Sequence, residues 1–74
     1  MKLSAHIDSP YYDAEKVYNA KVFQNGKEVF DCFFIDTDED YALVYDKDSN
    51  DRYILKGNQT QHKRIEGGLE LRGI

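Results

Sequence analysis

Val17-Tyr18-Asn19-Ala20-Lys21-Val22-Phe23-Gln24-Asn25-Gly26-Lys27-Glu28-Val29-Phe30-Asp31-Cys32-Phe33-Phe34-Ile35 is the stretch that decides the fold. Two runs rich in β-branched and aromatic residues flank Asn25-Gly26. Asn and Gly both tolerate the positive φ that tight hairpin turns require, so the chain is expected to reverse here and pair with itself. A strand is expected from Val17. Before it, Ser9 can cap a short helical turn over residues 10–15, with Pro10 at its first position. A rival reading runs one helix over residues 10–24, with Tyr11, Ala14 and Tyr18 on one face, and makes the domain α+β. The β-prone residues on both sides of Asn25-Gly26 favour the hairpin.

Side-chain parity sharpens the expectation. Tyr18, Ala20 and Val22 form a natural inward set on the first strand, and Phe30, Cys32 and Phe34 on the second. A two-residue loop would set Ala20 opposite Asp31 and throw the two sets onto different faces. One extra residue in the pairing restores them to one face. A bulge or a three-residue loop near Gly26 is therefore expected, placing Val22 opposite Phe30, Ala20 opposite Cys32, Tyr18 opposite Phe34 and Lys21 opposite Asp31. Phe33 and Ile35 then point to the other side, as on a central or strongly curved strand.

Outward from this stretch the same period continues. Leu3, Ala5 and Ile7 alternate with polar residues, which reads as a short half-buried strand. Tyr41-Ala42-Leu43-Val44-Tyr45 reads as a strand that forms a second hairpin with Tyr53-Ile54-Leu55 across the turn at residues 47–51. Gly57-Asn58 turns again. Ile65, Gly67, Leu69 and Leu71 keep one parity, which suggests one long strand kinked at Gly67-Gly68. The expected fold is all-β: a single small antiparallel barrel or sandwich of about five to six strands. With 74 residues it is one domain, residues 1–74.

A chain this short buries only about 60% of the surface its unfolded form exposes, so its core is small and self-association is expected to help. Cys32 is the only cysteine. No disulfide staple is possible within the chain, which fits a reducing compartment. There is no run of about 20 apolar residues to span a membrane, and residues 1–8 lack a signal-peptide core. The expected location is cytoplasmic. Net charge is −4, unevenly spread. Residues 1–30 hold four bases and four acids, residues 31–51 one base and eight acids, and residues 52–74 five bases and two acids.

Val22-Phe23-Gln24-Asn25-Gly26-Lys27-Glu28-Val29, Cys32-Phe33, Asp36-Thr37-Asp38, a Tyr-rich strand, an Asp-rich turn and the closing Gly68-Leu69-Glu70-Leu71 follow one another in order. In this the chain resembles small uncharacterised proteins encoded by tailed bacteriophages and prophages, over most of residues 17–72. The motifs are structural. The resemblance implies a compact β fold and an accessory or virion-associated phage setting, hence the host cytoplasm or the virion. It carries no catalytic residue over.

Chemistry-bearing motifs are sparse. Asp46-x-Asp48-x-Asn50 and Asp36-x-Asp38-x-Asp40 begin like calcium loops, but position six holds Asp51 and Tyr41 where glycine is required. They read as solvated turns, about 15 Å apart if residues 41–45 are extended. A Cys–His nucleophilic pair would need Cys32 beside His6 or His62, yet Cys32 belongs to an apolar set. One Cys and two distant His do not make a zinc site. No catalytic, metal or cofactor residue is expected, and the chain is read as non-enzymatic.

The leading function is a protein–protein interaction module, with Asp36, Asp38, Asp40, Tyr45, Asp48 and Tyr53 as the candidate partner surface, since exposed Tyr suits protein contacts. Strand addition at open edges offers a further route to partners or to homo-oligomers. One alternative is an acidic inhibitor of a host nucleic-acid-binding protein, using the acidic stretch 31–51. A further alternative is a single-stranded nucleic-acid-binding β barrel, using Arg52, Lys56, Lys63, Arg64 and Arg72 with Tyr53. The acidic balance of the whole chain disfavours it.

Overall fold

A computed structural model of the protein describes residues 1–73. The chain is mostly β, in antiparallel sheets, with one short helix and no closed barrel. The elements run β1 (Lys2–Ser4), α1 (Ala14–Asn19), β2 (Lys21–Gln24), β3 (Lys27–Val29), β4 (Cys32–Asp36), β5 (Tyr41–Tyr45), β6 (Leu55–Lys56), β7 (Gln59–Thr60), β8 (His62–Glu66) and β9 (Leu69–Arg72). A four-stranded sheet has the order β1-β4-β5-β8, a three-stranded sheet β3-β2-β9, and β6-β7 form a small hairpin. One core joins the two larger sheets. Leu3, Ile35 and Ala42 from the first meet Val22 from the second, with Ile65, Leu69 and Leu71 packed around them.

The turn at Asn25-Gly26 forms as expected. Asn25 and Gly26 have φ of 50° and 85°, both positive as a type I′ turn demands. The expected extra residue there is absent. Gln24 pairs with Lys27, Phe23 with Glu28 and Val22 with Val29, a plain two-residue loop. The inward set drawn from Tyr18 and Phe30 fails with it, because Tyr18 is 89% exposed and Phe30 is 70% exposed. The hairpin ends at Val29, and Asp31 (φ 62°) redirects the chain into the other sheet.

The bulge lies instead within β4. Its register on β5 shifts between Cys32, opposite Val44, and Phe34, opposite Leu43. Cys32 and Ile35 differ in parity, yet both pack on the core. Phe33 and Phe34 are adjacent, yet both meet rings of β5 that share one parity. An extra residue in a strand does this, because it reverses the in–out alternation at one point.

Neither reading of residues 10–24 holds in full. The helix covers Ala14–Asn19, so the strand begins at Lys21 and not at Val17. Asp13 caps the helix, its Oδ1 accepting the Lys16 N–H at 3.1 Å. Six residues make a marginal helix on their own, and packing of Val17 against the core supplies the anchor. Ser9 and Pro10 instead form a tight turn, with the Tyr12 N–H donating to the Ser9 carbonyl.

Two further expectations are corrected. Tyr41–Tyr45 does not pair with Tyr53-Ile54-Leu55 as a regular hairpin. On the side away from β4 its ladder partner is β8, with Tyr45 opposite His62 and Ala42 opposite Ile65. Only a Lys47–Tyr53 bridge remains of the expected pairing. The long strand over residues 63–72 is two strands, β8 and β9, placed in different sheets. Gly67 (φ 86°) and Gly68 (φ 67°) turn the corner between them. A single apolar parity still runs through it, since Ile65, Leu69 and Leu71 all face the core.

This corner is tied from three sides. Asn25 N–H donates to the Gly68 carbonyl at 2.9 Å. The Gln24 side-chain amide donates to the carbonyls of Glu66 and Gly67, both at 3.1 Å. Asp40 accepts the N–H groups of Gly68 (3.1 Å) and Leu69 (3.0 Å) on its two carboxylate oxygens. A Cβ on Gly68 would lie 2.0 Å from the Asn25 side-chain oxygen, so the close approach of turn and corner needs glycine there.

Candidate functional site

Strand β5 alternates small and large residues. Ala42 and Val44 are buried, whereas Tyr41, Leu43 and Tyr45 on the opposite face are only half-buried. The small residues admit the second sheet closely. The large ones form the centre of an aromatic face that this packing leaves uncovered. The β4 bulge adds both Phe33 and Phe34 to that face.

The rings fall into two groups. In the first, His6 stacks on Phe33 with centroids 4.8 Å apart and planes within 3° of parallel. Phe33 stacks in turn on Tyr45 at 4.4 Å. His62 and Tyr53 meet this stack edge-on, at 5.4 Å from Phe33 and 5.8 Å from Tyr45. His6 Nε2 and the Tyr45 hydroxyl share a hydrogen bond of 2.6 Å. In the second group Tyr11 lies edge-on to Phe34 at 6.1 Å, and Phe34 lies 5.8 Å from Tyr41. The Arg64 guanidinium sits 3.8 Å above the Tyr41 ring and the Lys2 ammonium 5.2 Å from the Tyr11 ring. Such pairs each contribute about 0.5–1.5 kcal/mol beyond area burial. The rings therefore hold one another in place.

Asp31 anchors one end of the face. Its Oδ1 accepts the Tyr53 hydroxyl at 2.8 Å, and its Oδ2 lies 3.0 Å from Lys47 Nζ. Lys47 also lies 5.1 Å from the Tyr53 ring centroid. The Lys47 hydrogen bond, then the Tyr53 one, holds the Asp31 carboxyl below its usual value. The same contact with Asp31 raises the Tyr53 hydroxyl.

Opposite pH dependences follow. A lowered carboxyl stabilises fully above its unfolded pKa of about 4 and loses that contribution as pH falls through the lower folded value. A raised phenol stabilises below about 10 and loses its contribution as pH rises through the higher folded value. Comparison of wild type with Asp31→Asn by urea denaturation is expected to show the widest gap near neutrality, narrowing below about pH 4 and above about pH 10. A gap of constant width would refute the linkage.

The six residues expected to form a partner surface separate. Tyr45 and Tyr53 come together on the aromatic face. The four aspartates serve turns. Asp36 is 1% exposed, and its Oδ1 accepts the N–H groups of Asp38 (3.0 Å) and Glu39 (3.3 Å). Asp38 meets the N-terminal ammonium at 2.6 Å, and that hydrogen bond lowers its carboxyl. Asp40 holds the Gly67-Gly68 corner. Asp48 Oδ1 accepts Asn50 N–H at 2.8 Å and Arg52 N–H at 3.1 Å. His6, Phe33, Phe34, Tyr41 and His62 were not expected on one face with Tyr45 and Tyr53. The readable signal for part of it was the small-large alternation of residues 41–45.

Cys32 lies on the inner side of the four-stranded sheet, packed on the core. Its thiol donates to the Phe34 carbonyl at 3.2 Å, and burial pushes its pKa up. Both imidazoles pack against Phe33 on the outer side, His6 stacked and His62 edge-on, so β4 separates them from the thiol. Among the described residues no three His, Cys, Asp or Glu side chains converge as metal ligands, and no helix is long and apolar enough to cross a membrane. The chain matches no protein-family model, no curated protein and no solved structure.

Proposed function

We propose that this protein is a small non-enzymatic interaction module that recognises another protein through the aromatic outer face of β1-β4-β5-β8. The carrying observation is the two groups of mutually packed, half-exposed rings on one sheet face, centred on Phe33 with Tyr45 and on Phe34 with Tyr41. Aromatic side chains give large contact area at small conformational cost, and they dominate binding energy at interfaces. Rings already immobilised by one another lose less entropy on binding than free ones. The resemblance to phage-encoded proteins supports an accessory or virion-associated setting.

The acidic-inhibitor reading loses support, because Asp36, Asp40 and Asp48 direct carboxylate oxygens at backbone N–H groups of their own fold. The nucleic-acid reading draws support from Arg64 and Lys2 beside the rings. It requires retention on single-stranded DNA that weakens steeply with salt. The interaction-module reading is tested by capture from host lysate on immobilised wild type and on Tyr41→Ala/Tyr45→Ala, with circular dichroism confirming that both are folded. Loss of at least about tenfold of the captured partner is expected, as for truncated aromatic anchors. Equal capture by both would remove the face from the function.

A further inference from the structure

We propose that Asn25 is a self-modification site: the Gly26 backbone nitrogen displaces ammonia from the Asn25 carboxamide, and the isoaspartate that results releases the corner between the two sheets. This goes beyond the interaction-module reading and does not depend on it.

Of the four asparagines, Asn25 alone precedes glycine. Asn19, Asn50 and Asn58 precede Ala20, Asp51 and Gln59. A side chain on the following residue obstructs attack on the carboxamide, and Gly26 has none. Both turn residues are exposed, and nothing lies within 4 Å of the place a Gly26 Cβ would take. Asn19 has its carboxamide engaged, with Nδ2 donating to the Glu15 carbonyl at 2.9 Å. The Asn25 carboxamide has no hydrogen-bond partner among the described residues and only rests against Gly68.

Turn geometry supplies the route. Gln24 and Lys27 close the hairpin, and Asn25 N–H is tied to the Gly68 carbonyl at 2.9 Å. The peptide unit between Asn25 and Gly26 is different. Neither the Asn25 carbonyl nor the Gly26 N–H has a hydrogen-bond partner among the described residues. Rotation of that plane therefore breaks no bond. It turns type I′ into type II′, the other two-residue hairpin turn. In type II′ the first central residue keeps its positive φ and takes ψ of about −120°, where the next nitrogen eclipses its Cβ. The Gly26 nitrogen then faces the Asn25 carboxamide carbon while the strands stay paired.

The Gly26 nitrogen gives its proton to solvent and bonds Asn25 Cγ. The Cγ–Nδ2 bond breaks, and the leaving nitrogen takes a proton from solvent and departs as ammonia. A five-membered succinimide remains. Water opens the ring at either carbonyl and returns aspartate or isoaspartate. Nothing is oxidised or reduced.

The two products act on the corner differently. Isoaspartate leads the main chain through Cβ and Cγ, one atom longer. A two-residue turn fixes the backbone path at both central residues, so the Gln24–Lys27 pair and the Asn25–Gly68 bond cannot both hold. Gln24 also ties Glu66 and Gly67, and the corner loosens with the turn. Aspartate keeps a favoured turn pair. It sets a carboxylate against Gly68, whose N–H already donates to the Asp40 carboxylate at 3.1 Å.

The test is ageing of the native protein at mildly alkaline pH and body temperature, followed by tryptic digestion. Cleavage after Lys21 and Lys27 leaves Asn25 as the only asparagine of the peptide Val22–Lys27. Conversion is expected there before any other asparagine, with isoaspartate detected by enzymatic carboxyl methylation. The isoaspartyl protein, separated by anion exchange, is expected to melt about 4–8 °C below fresh protein, the shift of about one lost hydrogen bond in a domain this size. Asn25→Asp carries the charge without the longer chain and is expected to shift by less than half as much. Asn25→Gly keeps a favoured turn pair and is expected to abolish the ageing shift. Conversion first at Asn19, Asn50 or Asn58, conversion only in denaturing urea, or an isoaspartyl form that melts with fresh protein would overturn the assignment. So would an Asn25→Gly protein that ages as wild type does, or an Asn25→Asp shift equal to that of isoaspartate.

Discussion

Asp40→Ala is expected to lower the unfolding free energy by about 3 kcal/mol. Two hydrogen bonds to a charged acceptor are lost, each contributing about 1.5 kcal/mol or more. They run from Gly68 and Leu69, the residues that take the chain from one sheet into the other. Their removal leaves the corner attached through Gln24, Asn25 and the backbone bond from Gly67 N–H to the Asp40 carbonyl. Asp40 also holds φ of 54°, where a short polar side chain is tolerated and alanine is strained by about 1 kcal/mol. Asp40→Asn keeps one acceptor and is expected to recover about half of the loss. Asp48→Ala supplies the contrast. Its carboxylate serves only its own exposed loop, so a loss under about 1 kcal/mol is expected. Urea denaturation of the three variants measures the order. Asp40→Ala within about 0.5 kcal/mol of wild type would refute the role given to the corner.

Ile35→Ala is expected to cost about 3 kcal/mol and to leave a large part of the population unfolded at body temperature. Ile35 is 2% exposed and stands mid-sheet, between Leu3 on β1 and Ala42 on β5. It lines an apolar crevice of about 80 Å³ with Leu3, Val17, Val22 and Leu71. Truncation enlarges a void that already exists, so the transfer loss and the cavity term add. The buried apolar set is small: Leu3, Val22, Ile35, Ala42 and Val44. A domain of this length is stable by about 4–11 kcal/mol in total. Loss of one such side chain is therefore a large fraction of the whole. Ile35→Val is expected to cost about 1 kcal/mol. Thermal unfolding followed by circular dichroism checks both. An unchanged midpoint for Ile35→Ala would mean that the core lies elsewhere.

Local chemistry was readable and long-range pairing was not. Asn25-Gly26 announces its turn because only a few residues accept positive φ at two successive positions. The strand character of residues 41–45 and the glycine kink at residues 67–68 were readable for similar reasons. The choice of partners was less so. Residues 53–55 and 62–66 both offered β5 a strand, and the inward-facing Ile65 decided between them through contacts distant in sequence. The start of the helix escaped because Ser9-Pro10 and Asp13 are both plausible caps, and only the docking of Val17 separates them. The aromatic face escaped for a subtler reason. Phe33 and Phe34 are neighbours, and alternation assigns neighbours to opposite faces. A bulge cancels that rule at one residue, and its position depends on the ladder with β5. Acidic turns were visible as composition, but not which of them ties two sheets together.

The corner at Gly67-Gly68 also bears on when the molecule can form during synthesis. The final strand, β9, pairs with β2, and β8 pairs with β5. Each larger sheet thus recruits a strand from residues 62–72, far in sequence from its partner. Until β8 and β9 are made, β2 has only β3 and β5 only β4 beside it, and Val22, Ala42 and Val44 stay open to water. Neither sheet can be completed before residues 62–72 are free to pair, so the two sheets close together and late.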